Sequence, residues 1–511
     1  MKILLVHPGF SCKRHFNHYE AIIKLIDSVN PVECHLLSCN KTYLACNFRG
    51  RSVSRSIHSS IPSFWHEKCL DCQNQLRNEV HSFCDRVINL SDYIYKNIDY
   101  FDNLINQLPK KMPINDFISI HANNVNIGKD IWQSIKYNLL MGTPDVITIP
   151  PKLTVGYEFI MSGLLQFEGC LNLLTENAYD LLFMNEICYI DWGIPAKVAL
   201  SLKIPVVRQG NYYLGKQQLT LKYYQHLSEI SRYHPLLPSL REVQKIIKLD
   251  SIEKYSEKGR NSLIKWNDKS DKKKSQQHNN LIKDWINPHR KTVIFFAHLC
   301  YDASMAYGER LFLTNEEWVS HTFEIASEID SVDWIFRLHP GETPNNRNQY
   351  YNTSILLKNL MQKFNVSHIK IMDSSIKIKI IDLIPYIHVG VTLLGSVFFE
   401  LPSYGVPCIN AAKGDNIDIG FTMNPSTFIE YQTLLKNISD IKPLSKFQIM
   451  LAQAYAGLVF DEDRFLDVKP VFNTEDSSDE IIDYLKLNRW IHNNKNKAYI
   501  SNQLFHEDNE L

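Results

Sequence analysis

Trp334-Ile335-Phe336-Arg337-Leu338-His339-Pro340-Gly341-Glu342 is the stretch from which the rest of this chain can be read. Trp334–Leu338 has the apolar run of a buried strand, and Pro340-Gly341 ends it. Arg337 and His339 alternate with Phe336 and Leu338, so both polar side chains leave one face at the strand's carboxyl end. Open α/β sheets bind their ligands at that edge. A guanidinium and an imidazole converging there, with the Pro340-Gly341 turn, suit a phosphate or pyrophosphate.

Working outward, similar short apolar runs form two clusters. The first holds Ile3–Val6, Asp145–Ile149, Leu181–Met184 and Ile204–Val207. The second holds Thr292–Ala297, Trp334–Leu338, His368–Met372, Tyr386–Val391 and Pro407–Asn410. Helical patterns lie between the runs, which predicts parallel sheets covered on both faces, one per cluster. The expected class is α/β, with two Rossmann-like, doubly wound domains. Domain one spans 1–230 and domain two 291–443. The polar, charged stretch 231–290 between them reads as a linker with a solvated helix and a mobile loop. In 444–511, Leu444–Phe460 carries apolar residues at helical spacing, and a polar tail follows.

The chain has 511 residues, with 55 Lys plus Arg against 55 Asp plus Glu. That balance argues against nucleic acid as a partner, because phosphate-backbone binding needs a basic excess. No apolar run approaches the ~18 residues of a membrane span, and Met1–Gly9 lacks a secretory core. Eleven scattered cysteines fit a reduced compartment. Cys69-Leu70-Asp71-Cys72 has no second pair at zinc spacing. These features predict a cytoplasmic protein without a resident metal or cofactor.

A second informative segment runs from Val389 to Ile409. A strand ends near Val391, Thr392 and Ser396 flank a turn of small residues around Gly395, and a helix then carries Glu400 one turn beyond Ser396. Small hydroxyl residues and free N–H groups suit an anion, and the carboxylate of Glu400 can accept ribose hydroxyls. A third segment, Ile294–Trp318, ends its strand at His298. Its loop holds Asp302 and Ser304 and leads to a helix capped by Thr314 or Asn315.

Taken together, Arg337-x-His339-Pro340, the later Thr392-Leu393-Leu394-Gly395-Ser396-x-x-x-Glu400 and Gly405-Val406-Pro407 resemble the donor half of GT-B glycosyltransferases. The run is similar to that of bacterial capsule-polysaccharide Kdo transferases, and the His-Pro element is shared with bacterial sialyltransferases. The resemblance covers roughly Thr292–Asn410. It implies a GT-B fold, two domains facing a cleft, and a sugar of the Kdo or nonulosonic-acid type moved from a CMP donor to a capsule or lipopolysaccharide glycan. It implies that Arg337, His339, Pro340, Gly341, Thr392, Gly395, Ser396 and Glu400 bind the donor nucleotide without a metal. His298 and Asp302 would face the transferred sugar, with the glycine turn at Gly9 in the same cleft. It also places the terminal helix against domain one and leaves open a peripheral contact with the membrane's inner face.

In such enzymes an acidic residue of the first domain serves as base or nucleophile. Asp191-Trp192-Gly193, after the strand Leu181–Met184, matches that motif in part, and Glu186 is the competing carboxylate. A CDP-glycerol-type phosphotransferase, a nucleotide-sugar 2-epimerase and a non-catalytic glycan- or partner-binding module are the alternatives. Two lookalikes are set aside as a solvated turn and a strandless His-Pro: Asp461-Glu462-Asp463 and His234-Pro235.

Overall fold

The computed structural model describes residues 1–7, 13–40, 42, 45–46, 56–61, 64–79, 83–211, 218–232, 237–268, 285–301, 305, 309–342, 352–376, 378–413, 417–467, 472–473, 481–482 and 484–505. The chain divides into two compact units. One comprises Met1–Leu139, Pro144–Ile230 and Asp463–Leu511; the other comprises Leu140–Thr143 and Ser231–Glu462.

In the first unit, β1 (Lys2–Val6), β2 (Glu33–Ser38), β3 (Arg86–Asn89), β4 (Leu181–Met184) and β5 (Val206–Asn211) run parallel, and β6 (Gln218–Tyr224) runs antiparallel to β5. The spatial order is β6-β5-β4-β1-β2-β3. The winding therefore reverses between β1 and β4. Ile3–Val6 and Leu181–Met184 are buried without alternation, as strands covered on both faces must be. Helix α1 (Lys13–Asp27) packs Tyr19, Ile22 and Ile26 into that core. Helices α2 (Gly128–Leu139), α3 (Val155–Glu176) and α4 (Ile194–Ser201) complete the unit's larger elements.

One expected strand of this sheet belongs elsewhere. Val146–Thr148 pairs with Lys111–Pro113 in a separate two-stranded ribbon. Only Ile147 of its three residues is buried, the alternation of a ribbon with one wet face rather than of an inner strand.

In the second unit, β7 (Thr292–Phe296), β8 (Asp333–Arg337), β9 (Ile369–Met372), β10 (Ile387–Thr392) and β11 (Cys408–Asn410) are all parallel, in the order β9-β8-β7-β10-β11. The reversal lies between β7 and β10. Phe295, Trp318, Phe336 and Val391 anchor the core on one face of the sheet. Its helices include α5 (Leu240–Lys248), α6 (Ile252–Asp268), α7 (Asn315–Ser327), α8 (Val397–Ser403) and α9 (Lys446–Val459).

The charged stretch is more structured than its composition suggests. Helix α5 begins with a capping box between Ser239 and Glu242. Helix α6 crosses α9 at a glycine pair: a Cβ on Gly259 would lie 1.8 Å from the Gln453 carbonyl oxygen, and one on Gly457 would lie 2.0 Å from that of Tyr255. Only glycine permits that approach. Asp461, expected in a solvated turn, is buried and pairs with Lys258 at 2.7 Å. Lysine-rich residues 269–284 and His234-Pro235 lie outside the described residues.

Helix α9 belongs to the second unit, where it packs against α6 and α8. Gly457 and the Leu451–Val459 face commit it there. The segment after it returns to the first unit: Leu466–Asp467 extends the sheet beyond β6, and α10 (Tyr484–Ile491) and α11 (Asn494–Leu504) pack Leu487, Trp490 and Ile500 beside α1. The chain is an α/β protein of two Rossmann-like, doubly wound units, as expected from its sequence. No helix among the described residues is long and apolar enough to cross a membrane.

Candidate functional site

Four strand ends of the second unit's sheet deliver polar groups to one edge. His298 follows β7, His339 follows β8, the Thr392–Ser396 turn follows β10, and Asn410 ends β11. This is the carboxyl edge, and its centre is the reversal point between β7 and β10. The two sides meet there: a Cβ on Gly395 would lie 3.0 Å from His298 Cε1 and 3.2 Å from its Nε2. The rings of His298 and His339 lie 6.5 Å apart, near parallel.

The turn is strained. Leu394 sits at φ +61°, the left-handed region that a leucine avoids. Asn410 Oδ1 accepts the Leu394 N–H at 3.2 Å and holds it there. Such strain clusters at ligand clamps. Three buried polar atoms at this carboxyl edge, Thr392 Oγ1, Asn410 Nδ2 and Arg337 Nη1, have no hydrogen-bond partner among the described residues. Buried donors and acceptors are normally satisfied, so this set fits a polar ligand.

His339 Nδ1 accepts the Gly341 N–H at 3.0 Å. In the neutral ring the proton is therefore on Nε2, which is a donor. Burial, and then the charge of Arg337, hold the His339 pKa below its ordinary value. Burial, with Arg310 and His339 nearby, pushes His298 down to about 3. Both imidazoles are thus neutral near pH 7. Burial lowers Arg337 and Arg310 to about 10, which leaves both charged. Glu400 is 4 % exposed. Burial raises its pKa, against a hydrogen bond from Ser396 and the attraction of Arg337.

Of the residues expected at the donor site, the structure brings His298, His339, Gly341, Thr392, Gly395 and Ser396 to this edge. Arg337 is engaged on one side: its Nη2 donates to the Ile378 carbonyl. Pro340 is exposed beside it. Asp302 and Gly9 lie outside the described residues. Two contributors were missed. Asn410 ends a short apolar strand with nothing nearby to mark it. Arg310 sits in a two-residue strand paired with Ala412, and donates to Asn315 Oδ1 at 3.0 Å. Thr314, not Asn315, caps α7.

In the first unit, Asp191 lies in a single π-helical turn, Tyr189–Gly193, at the carboxyl side of β4. Such turns mark functional sites more often than chance, and Tyr189 is left-handed at φ +72°. Asp191 is 1 % exposed. Glu186 is held by Arg208 at 3.0 Å and accepts the Ile187 N–H at 2.9 Å. The carboxylate that sequence reasoning missed is Asp130. It accepts the Tyr189 N–H, pairs with Lys197 at 2.5 Å and abuts Gly193, so it braces the turn. Burial raises its pKa, against Lys197. Among the described residues, no group of three His, Cys, Asp or Glu is placed to hold a metal.

No family model matches the chain, and no curated protein matches it. Solved structures similar to it include UDP-GlcNAc 2-epimerase from Neisseria meningitidis bound to UDP-GlcNAc, at 12 % identity and TM-score 0.30, over 90 % of this chain and 98 % of that one. KpsC of Thermosulfurimonas dismutans, a β-Kdo 2,7 transferase, is 12 % identical at TM-score 0.29, over 63 % of this chain and 87 % of its own. A glycosyltransferase from Rickettsia africae is 10 % identical at TM-score 0.28, over 90 % and 92 %. Likenesses at that level carry no information about substrate.

Proposed function

We propose that this chain is a glycosyltransferase that takes a Kdo- or nonulosonic-acid-type sugar from a CMP donor and adds it to a bacterial surface glycan. The observation that supports this most is the convergence of His298, His339, the Thr392–Ser396 turn and Asn410 at the second unit's reversal point, with unpartnered buried atoms around it. Two buried guanidiniums, Arg337 and Arg310, give this edge positive charge, which suits the phosphate of such a donor.

As the glycosidic bond breaks, negative charge grows on the leaving phosphate. The Nε2–H of His339 would donate to it, and the two guanidiniums would stabilise it through a low-dielectric surrounding, with no divalent ion required. The first unit would receive the acceptor. Asp191 is the first candidate for base or nucleophile there, supported by its place in a strained turn, and Glu186 is the second. The surface glycan acceptor makes the cytoplasmic membrane face the expected place of work.

Turnover is the test. The protein is incubated with CMP-Kdo and with CMP-sialic acid, and CMP release is followed with and without oligosaccharide acceptors. Release stimulated by an acceptor supports the proposal. Nucleotide binding with no release from any donor would make the chain a binding module, and release of CMP from CDP-glycerol would make it a phosphotransferase. Asp191→Asn keeps shape and removes the base, so transfer should fall by about 10²–10⁴ while CMP still binds; unchanged transfer would move the role to Glu186.

A further inference from the structure

At the amino edge of the first unit's sheet, two thiols meet. Cys34 is the second residue of β2, and Cys84 stands two residues before β3. Their sulfurs lie 3.7 Å apart. Cys34 is 1 % exposed, and Cys84 is half-buried. The backbone holds the two in place. The Cys34 N–H donates to Asp85 Oδ2 at 2.7 Å, and the Asp85 N–H donates to the Cys34 carbonyl at 2.8 Å. One residue further on, His35 pairs with Arg86 in the parallel ladder. Phe83 and Cys84 pack on the same apolar core that contains Cys34.

A disulfide brings its sulfurs to about 2.05 Å, so the contact has to close by roughly 1.7 Å to become a bond. The place matters for what such a bond would do. β3 is the last strand of the sheet and pairs with β2 through four residues. Cys34 and Cys84 are 50 residues apart in the chain. A bridge between them would fix the edge strand to its neighbour and close a long loop, which restrains the unfolded chain most.

We infer that Cys34 and Cys84 are a modification site: they form a reversible disulfide by exchange with a small disulfide of the glutathione class, and the bond staples β3 to β2. The inference is independent of the glycosyl-transfer reading, whose first-unit carboxylates follow β4 at the other end of the strands. In the first step the half-buried Cys84 sulfur attacks one sulfur of the small disulfide. This gives a mixed disulfide and releases one small thiol. Cys34, already in contact, then attacks the Cys84 sulfur and releases the second. The two protons leave on the two released thiols, so the protein pair is oxidised as the small disulfide is reduced. Contact with Cys34, and then burial, push the Cys84 thiol well above its ordinary pKa. Little thiolate is present near neutral pH, and the exchange is slow.

The test therefore equilibrates native protein overnight with oxidised glutathione at mildly alkaline pH. Remaining thiols are alkylated, and the protein is digested without reduction for peptide mapping by mass spectrometry. A peptide pair joining Cys34 to Cys84 is expected, lost on treatment with dithiothreitol and missing from Cys84→Ser. The oxidised native protein should also unfold at a higher urea concentration than its reduced form, a gap that Cys84→Ser lacks. The native comparison stands without the variant. Recovery of both cysteines in alkylated form overturns the inference. So does a lasting glutathione adduct on Cys84 beside an alkylated Cys34, or a bond from either to another cysteine such as Cys39. A bridged protein no more resistant to urea than the reduced one overturns the staple.

Discussion

Gly395 lies against the imidazole of His298, so close that a methyl group added at Gly395 would approach the ring to 3.0 Å. The two residues come from strands on opposite sides of the sheet's reversal point, β7 and β10. Gly395→Ala should therefore push His298 by a few tenths of an ångström and deform the turn proposed to face the phosphate. We expect CMP affinity to fall by about tenfold, with a stability cost of about 1–3 kcal/mol from the overpacked contact. Calorimetric titration and urea unfolding of the same variant measure both. A variant that loses stability and keeps affinity would make the contact structural only.

The two histidines also predict a pH dependence. His298 is pushed down to about 3 and His339 is lowered, both chiefly by burial. The unfolded chain takes up these protons near pH 6.5, whereas the folded chain refuses them. Below about 6.5 the unfolded state binds more protons, so the neutral rings contribute stability above that pH and lose it as pH falls toward 3. Urea unfolding of native protein and of His298→Gln/His339→Gln at pH 7, 5.5 and 4.5 isolates the term. The native protein's advantage over the variant should shrink at each step. A constant difference would contradict the burial of neutral rings.

Glu400 separates two roles. Its sequence position suggests a ribose ligand, whereas in the fold it is 4 % exposed, bonded by Ser396 and facing Arg337. Glu400→Gln should leave CMP affinity intact or improve it severalfold, because it removes a buried carboxylate beside Arg337. A drop of about tenfold in calorimetric titration would return Glu400 to the ribose.

Much of this was legible in the sequence, for physical reasons. The second unit's inner strands carry short buried apolar runs, Val293–Phe296 and Trp334–Phe336, and a strand buried on both faces leaves that signature. Arg337 and His339 stood out because charge at the end of such a run needs a reason. The first unit was harder. β2 carries Cys34 and His35, and β6 alternates Leu219 and Leu221 with Thr220 and Lys222, so neither reads as an apolar run. Asp130 sits within a helix and gives no local sign that it braces Tyr189. The partners of α9 were invisible because a glycine pair 198 residues apart in the chain, Gly259 and Gly457, decides them.

Metal dependence follows from the same edge. On the proposed reading, guanidiniums and an imidazole N–H meet the leaving phosphate, so CMP release from a CMP-sugar should proceed at an undiminished rate in EDTA. Loss of turnover that manganese restores would show that a divalent ion carries the charge instead.

The central claim is that the second unit grips a nucleotide phosphate through His339. Its most direct test is calorimetric titration of CMP into native and His339→Ala protein at pH 7. Removing a hydrogen bond to a charged group costs about 1.5–3 kcal/mol, so the variant should bind CMP about 10- to 150-fold more weakly. Equal affinity for CMP in the two proteins would contradict the claim.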